Sequence, residues 1–462
     1  MTYHGADPNA FDSGALAAPG HARRGEIMRL KMRSSTSILC LAAFWMTALF
    51  LTANTAIAQF PVQYTPPGGP QQRPESRREE LERALAEARY RLGPVRIAPW
   101  ATLRDVAYVR SLLSSGQGQR LPSDLTATVG AGFRAYLRNG AKATWTAQVL
   151  PEYAWWQKQT QRRQLNGRYL LGYNGYFNHL TVEVQAGRQQ GQQVVTPEVP
   201  VPVSTRVDGG ELVAELRLSH ALSLFTVTAF NRQNNVITDD PLTGDLRLLD
   251  RDERAERLGV RWRPEQRWSV ALAGERSESD FTHRGALDRS NSGTAPVVEV
   301  HFRGNHFGLQ ADAADRSLAA RRGAELVPFH GVTGNAALDV GGSQTRATAT
   351  LYSSRTLDYS LSPLYSYLTD ERLGAALTVG FGQRTRGRIF TERGRNDYTA
   401  FSAVAPRRRD DVTSFGGSVI VELRRSLRLG IEGVRSRYDS NLPGASRSYT
   451  SVGATVTLAD IR

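Results

Sequence analysis

Apolar and polar residues alternate one by one in segment after segment of this 462-residue sequence. In the segment 125–137 every odd position is apolar, from Leu125 to Leu137, while Thr, Gly, Arg and Tyr occupy the positions between. Successive side chains of a β-strand point to opposite faces, so such a segment forms a strand with one apolar and one polar face. Because the same alternation recurs as far as residues 452–458, the sequence predicts an all-β fold.

Eighteen segments are predicted as strands, of which 222–232 and 384–392 alternate poorly. They are 95–107, 124–138, 141–156, 165–177, 180–190, 210–219, 222–232, 255–263, 267–277, 295–303, 306–316, 329–340, 344–354, 371–381, 384–392, 412–423, 427–438 and 447–458.

The connections between these segments are alternately short and long. Those near 139, 178, 220, 265, 304, 342, 382 and 425 take two or three residues, and Asn139-Gly140 is a strong hairpin signal. Those between them are much longer, as at 191–209, 233–254 and 393–411. A regular alternation of this kind indicates an up-and-down antiparallel meander with tight turns on one side and long loops on the other.

A transmembrane β-barrel explains this pattern better than a soluble sandwich or propeller, whose loops rarely divide so cleanly. The strands have the length that a membrane-spanning strand needs, and an even strand number keeps both termini on the periplasmic side. An open sheet edge in lipid would leave backbone groups unpaired, so the meander should close. We therefore expect a transmembrane antiparallel up-and-down β-barrel of about 18 strands (16–18).

The composition argues against the other membrane architecture. Mean hydropathy is −0.39, and the longest apolar run, Ile38–Leu51, is shorter than the ~20 residues of a membrane-spanning helix. The formal charge is +14, and only three of the 58 basic residues are lysines. This excess of positive charge is compatible with a nucleic-acid-binding protein of the cytoplasm. Export would exclude that function, because it separates the chain from cytoplasmic DNA.

The N-terminus has the features of an export signal over residues 1–58. A basic segment, Met28–Arg33, precedes the apolar run, and Ala56-Ile57-Ala58 resembles a cleavage site. The true start is expected at Met28 or Met32, which makes 1–27 a mis-annotated leader. A single membrane anchor is the alternative. The one cysteine, Cys40, lies within the signal, so the mature chain has none, and we expect it in the outer membrane of a Gram-negative bacterium.

Residues 59–92 are predicted as a periplasmic linker and a short helix that precede the barrel domain, 93–462. The linker is rich in Pro and Gly, and the helix, Glu75–Arg91, stops at Gly93-Pro94. Its mostly polar sequence is compatible with a solvated helix or with one that binds a partner.

Six aromatic residues lie within two positions of a short turn and on the apolar side of their strands. Aromatic rings favour the interface between membrane and water, so these residues predict a belt there. They are Phe177, Trp262, Trp268, Phe302, Phe307 and Phe381.

The polar side of each strand should face the lumen, where charges of both signs are expected. The predicted pore-lining residues are Arg134, Arg168, Glu215, Arg217, Arg261, Glu299, Arg346, Arg384, Arg386, Arg388, Glu422 and Glu432. They either form a network that stiffens the wall or act as a selectivity surface. Arg384, Arg386 and Arg388 share one face of one strand and are the best candidates for an anion-attracting patch.

The long loops 191–209 and 233–254 are candidate constrictions. The second contains Asp239, Asp240, Asp245, Asp250 and Asp252, which are oxygen ligands of the kind Ca²⁺ prefers, but their spacing is not that of an EF-hand and favours a solvated loop. Nucleotide-binding, zinc-protease and serine-hydrolase motifs are absent from the sequence. We expect no enzyme, cofactor or bound metal.

Besides the export signal, five segments carry a resemblance to a known family: Arg77–Arg91, Arg91–Pro99, Asp124–Gly132, Pro151–Tyr153 and Arg163–Tyr176. Together they resemble outer-membrane β-barrel porins that are often associated with exopolysaccharide production systems. The sequence departs from that family's pattern in two places: residues 107–110 lack its Asp/Asn-rich segment, and the chain ends in Ile461-Arg462 rather than Phe.

The barrel and the resemblance together predict a channel for passive passage or export of polar solutes, among them anions or saccharides. The expected partners are outer-membrane lipid and lipopolysaccharide, the barrel-assembly machinery and exopolysaccharide export components, with no nucleic acid. An outer-membrane enzyme with a rim site, and a closed barrel that anchors a periplasmic partner through Glu75–Arg91, are the alternatives.

Overall fold

The computed structural model describes residues 64, 77–88, 90–112, 123–200, 202–236, 246–283, 288–341, 346–424 and 427–459. The predicted export signal, the linker apart from Tyr64, and the C-terminal Ile461-Arg462 lie outside these residues. No helix in the described ranges is both long enough and apolar enough to span a membrane.

The described residues form one α-helix, two single-turn 3₁₀ helices (Thr160–Arg162 and Arg247–Leu249), a short strand and eighteen long strands that close into a barrel. Each long strand pairs antiparallel with the next along the chain, and the last pairs with the first. This confirms the predicted up-and-down barrel. The bounds are α1 Arg77–Glu87, β1 Tyr90–Leu92, β2 Val95–Leu112, β3 Asp124–Asn139, β4 Ala143–Trp156, β5 Gln164–Tyr176, β6 Leu180–Gln193, β7 Val203–Arg217, β8 Leu222–Asn235, β9 Arg251–Trp262, β10 Trp268–Phe281, β11 Asn291–Arg303, β12 Phe307–Ala320, β13 Phe329–Val340, β14 Ala347–Tyr359, β15 Tyr365–Phe381, β16 Thr385–Ala400, β17 Arg409–Arg424, β18 Leu427–Ser440 and β19 Arg447–Ala459.

The strands extend further toward the long loops than the sequence predicts. β7 begins at Val203 instead of 210, β15 at Tyr365 instead of 371, and β16 ends at Ala400 instead of 392. Beyond the lipid both faces of a strand meet polar surroundings, so the alternation stops while the backbone pairing continues. The predicted loops 191–209, 233–254 and 393–411 therefore shorten to 194–202, 236–250 and 401–408.

The N-terminal helix is shorter than predicted. It ends at Glu87 rather than at Arg91, and Tyr90–Leu92 instead forms β1, which pairs with the first residues of β2. Gly93 has φ +59°, and together with Pro94 it makes the tight turn that folds β1 back on β2.

The outer surface of the barrel is apolar and the inner surface is polar. Leu258, Leu373 and Ile431 are 60%, 67% and 64% exposed, whereas their neighbours in sequence Arg257 and Arg372 are buried on the inner face. A surface that exposes so many large apolar side chains is unfavourable in water and favourable in lipid. The barrel therefore spans a membrane, with its short turns at the periplasmic end and its longer loops at the extracellular end.

Candidate functional site: the barrel lumen

An arginine–glutamate network covers the inner face of β7 to β11. Arg257 Nη2 lies 2.5 Å from Glu275 Oε2, and its Nη1 lies 2.7 Å from Glu299 Oε1. Arg261 bridges Glu215 and Glu299 at 2.9 and 3.1 Å. Three of the predicted pore residues, Glu215, Arg261 and Glu299, thus meet here. Because each charge has an opposite partner, this part of the wall is close to neutral and the network joins neighbouring strands.

A second network lies on the inner face of β14 to β16. Arg372 pairs with Asp370 at 2.7 Å and with Glu392 at 2.9 Å. The Tyr352 hydroxyl donates a hydrogen bond to Glu392 at 2.9 Å. Arg372 Nη2 also donates to the hydroxyl of Tyr64 at 2.6 Å. Sequence reasoning missed Tyr64, because nothing in its Pro-rich surroundings indicates a position inside the barrel.

The exposure of the side chains on the inner face of β16 decreases from the periplasmic end of the strand toward its middle. Arg386, near the periplasmic turn, is exposed, and Arg388 is half-buried with its guanidinium 5.2 Å from the centre of the Phe390 ring. Further along the same face Phe390 is 6% exposed and Asn396 is fully buried. The lumen beside this strand is therefore open to water at its periplasmic end and filled by side chains from halfway up.

The loop 194–202, of which every residue but 201 is described, extends into the lumen, and we call it the inward loop. It connects β6 to β7, yet Glu198 forms an ion pair with Arg408, which follows β16, at 2.9 Å. Arg447 of β19 donates a hydrogen bond to the Pro197 carbonyl at 2.5 Å. Since β7 and β16 lie on opposite sides of an 18-stranded ring, these contacts cross the lumen.

Apolar contacts fix the base of the inward loop. Val199 and Val203 pack in one cluster with Val109 of β2 and Tyr449 of β19. Leu249, from the neighbouring loop 236–250, belongs to the same cluster. Both loops predicted as constrictions therefore contribute buried side chains to the extracellular half of the lumen.

The two described aspartates of the predicted loop 233–254, Asp250 and Asp252, hold neighbouring residues in place. Asp250 accepts hydrogen bonds from the backbone and side-chain nitrogens of Asn235 at 2.7 and 2.8 Å. Burial raises the pKa of the Asp250 carboxyl, against the opposing effect of these hydrogen bonds. Asp252 pairs with Arg232 at 2.7 Å. Asp239, Asp240 and Asp245 lie outside the described residues, and the described part of the chain holds no group of three or more potential metal ligands.

The other predicted pore residues are distributed around the ring. Arg134 lies over the ring of Trp100 at 4.3 Å, and Glu422 pairs with Arg428 at 3.5 Å. Glu432 is half-buried and, with Asp105, lines a small cavity below the inward loop.

Three further predicted pore residues lie at or beyond the periplasmic ends of strands. Arg217 is exposed at the end of β7, while Arg346 and Arg384 are exposed in the turns that precede β14 and β16. Arg168, in contrast, is half-buried on the inner face of β5.

The six predicted belt residues lie on the outer face beside the short turns. Phe302 stacks between Trp268 and Phe307, with ring centres 4.5 and 4.7 Å apart. Phe177, Trp262 and Phe381 are exposed at equivalent positions.

Comparison with known proteins finds related folds among solved structures only. No protein-family model and no curated protein matches the sequence. Among solved structures, OccK9 (OpdG) of Pseudomonas aeruginosa has a TM-score of 0.50 at 10% identity, covering 79% of this chain and 98% of that chain. A BenF-like porin from Pseudomonas fluorescens Pf-5 gives 0.49 at 10% identity over 79% and 99% of the two chains. OccK2 (OpdF) of Pseudomonas aeruginosa in complex with glucuronate gives 0.48 at 10% identity over 79% and 98%.

At such low identity the likeness is one of fold. The protein is a closed 18-stranded up-and-down β-barrel, and it shares this fold with OccK9 (OpdG).

Proposed function

We propose that the protein is a passive outer-membrane channel for polar solutes and that it prefers anions. The observation that supports this most strongly is the position of two arginines on the inner face of β16. Arg386 is exposed and Arg388 is half-buried at the periplasmic end of this strand, where the lumen is open to water.

Fixed positive charges along an aqueous path raise the local concentration of anions. A guanidinium group fits the planar oxygens of carboxylates, phosphates and sulfates, and its flat face stacks on sugar and aromatic rings. The solute class that fits best is small organic anions, including acidic saccharides. A more specific form of this proposal, implied by the sequence resemblance, is a channel that exports an exopolysaccharide. The channel's partners would be outer-membrane lipid, lipopolysaccharide and the barrel-assembly machinery, and an exporting channel would also bind export components.

The test is the reversal potential of purified protein in planar bilayers under a KCl gradient. The wild type should prefer chloride, and the double substitution Arg386→Glu/Arg388→Glu should shift the preference toward potassium. Arg393→Glu is the matched control, because Arg393 lies on the same strand but is exposed on its outer side. A cation-selective wild type whose reversal potential ignores the double substitution would contradict the proposal.

A further inference from the structure

Helix α1 is docked inside the periplasmic mouth of the barrel. Leu81 and Leu85 of α1 and Ala88, which directly follows the helix, are spaced four and three residues apart, form one apolar stripe and are buried. They pack against Tyr136 of β3, and Tyr176 at the end of β5 also contacts this cluster. Tyr136 lies on the same side of β3 as Arg134 and close to the short turn. The stripe that could have bound a separate partner is therefore covered by the barrel's own inner wall.

Polar contacts hold the same helix from two sides. Arg96 of β2 donates a hydrogen bond to the Leu85 carbonyl at 2.7 Å. The guanidinium of Arg78 lies 5.4 Å from the centre of the Tyr176 ring. A helix of 11 residues is marginal on its own in water, so these contacts are what keeps it formed.

Tyr64 lies much deeper in the lumen and is 4% exposed. Its hydroxyl is 3.1 Å from that of Tyr438 and accepts the hydrogen bond from Arg372. β18 begins at Leu427, at the periplasmic end of the barrel, and Tyr438 is eleven residues further along it. The two residues are therefore about 36 Å apart along the strand. The chain preceding α1 therefore has a fixed point near the extracellular half of the lumen, beside strands other than those that hold the helix.

We propose that α1 and Tyr64 form a built-in plug, which closes the channel until it is displaced. α1 occupies the periplasmic mouth along β2 to β5, and Tyr64 contacts β15 and β18 at a level where side chains already fill part of the lumen. This inference rests on the proposed channel function, because a plug has meaning only if the lumen conducts without it.

Two substitutions should weaken the plug at its two attachment points. Leu85→Asp places a carboxylate against Tyr136, and Tyr64→Ala removes the hydroxyl that Arg372 and Tyr438 contact. The matched controls are Ala86→Asp, the exposed neighbour on the same helix, and Tyr153→Ala, an exposed tyrosine on the outer face. Tyr64→Phe keeps the ring and removes only the hydroxyl, so it tests the same contact with little risk to folding.

Single-channel recording in planar bilayers gives the open and closed times of each protein, with heat-modifiable gel mobility as the check on folding. The wild type should be mostly closed. Leu85→Asp disrupts the buried apolar stripe, and Tyr64→Ala removes the hydrogen bond from the charged Arg372. Each should therefore raise the open-to-closed ratio about tenfold or more. Tyr64→Phe should show a smaller increase, and the controls none. A wild type that conducts steadily, with variants indistinguishable from it, would overturn the plug and leave the channel. Folded variants that never conduct would overturn both.

Discussion

At the scale of single residues, the lumen is built from charges that compensate one another. Arg257 is buried between Glu275 and Glu299, and ionised groups taken out of water are tolerated only when they are paired in this way. The sequence predicts which face of each strand these residues occupy, because the alternation has a period of two. It does not predict which glutamate each arginine pairs with, since that depends on the register and curvature of several strands.

Removing one member of this network should be costly. Arg257→Met should destabilise the folded barrel by ~3–5 kcal/mol, because it leaves two buried carboxylates without their shared partner. Arg254→Met on the same strand is the control: its pair with Glu256 is solvent-exposed and should contribute less than ~1 kcal/mol. Urea unfolding in lipid vesicles or detergent measures both. Equal effects of the two substitutions would show that the buried network adds no stability.

At the scale of secondary-structure elements, the periplasmic ends of the strands agree with the sequence prediction to within a few residues. At these ends the apolar alternation stops, the aromatic residues occur and the short turns begin within a few positions of one another. The extracellular ends agree less well, because alternation disappears before the backbone pairing does. The inward loop's final position was beyond sequence reasoning as well, since Glu198 and Arg408 are 210 residues apart and meet only when the ring has closed.

The inward loop depends on Glu198 for its position across the lumen. Glu198→Ala removes the ion pair with Arg408 and the hydrogen bond from Ser360, which is 3.1 Å long. We expect residues 194–202 to exchange backbone amide hydrogens at least tenfold faster and the open-channel conductance to rise. Glu325→Ala, which alters an exposed carboxylate in another extracellular loop, should change neither quantity. Unchanged exchange in the Glu198→Ala protein would show that the loop is held by its apolar base alone.

At the scale of the whole molecule, one closed ring of strands encloses an occupied lumen. The alternation of short and long connections was sufficient to predict the ring. It could not predict that Tyr64 and α1 lie within it, because a Pro-rich linker and a mostly polar helix look the same in sequence whether they extend into the periplasm or fold back. The same interior therefore combines a polar path, a cross-lumen loop and a segment able to block the path.

Liposome swelling tests most directly whether this barrel is a channel. Vesicles containing the folded Leu85→Asp protein, in which the plug is weakened, should swell in isotonic salts of small carboxylates and more slowly in a neutral sugar of similar size. Swelling no faster than that of vesicles without protein, for every solute, would contradict a channel and identify the barrel as a closed structure.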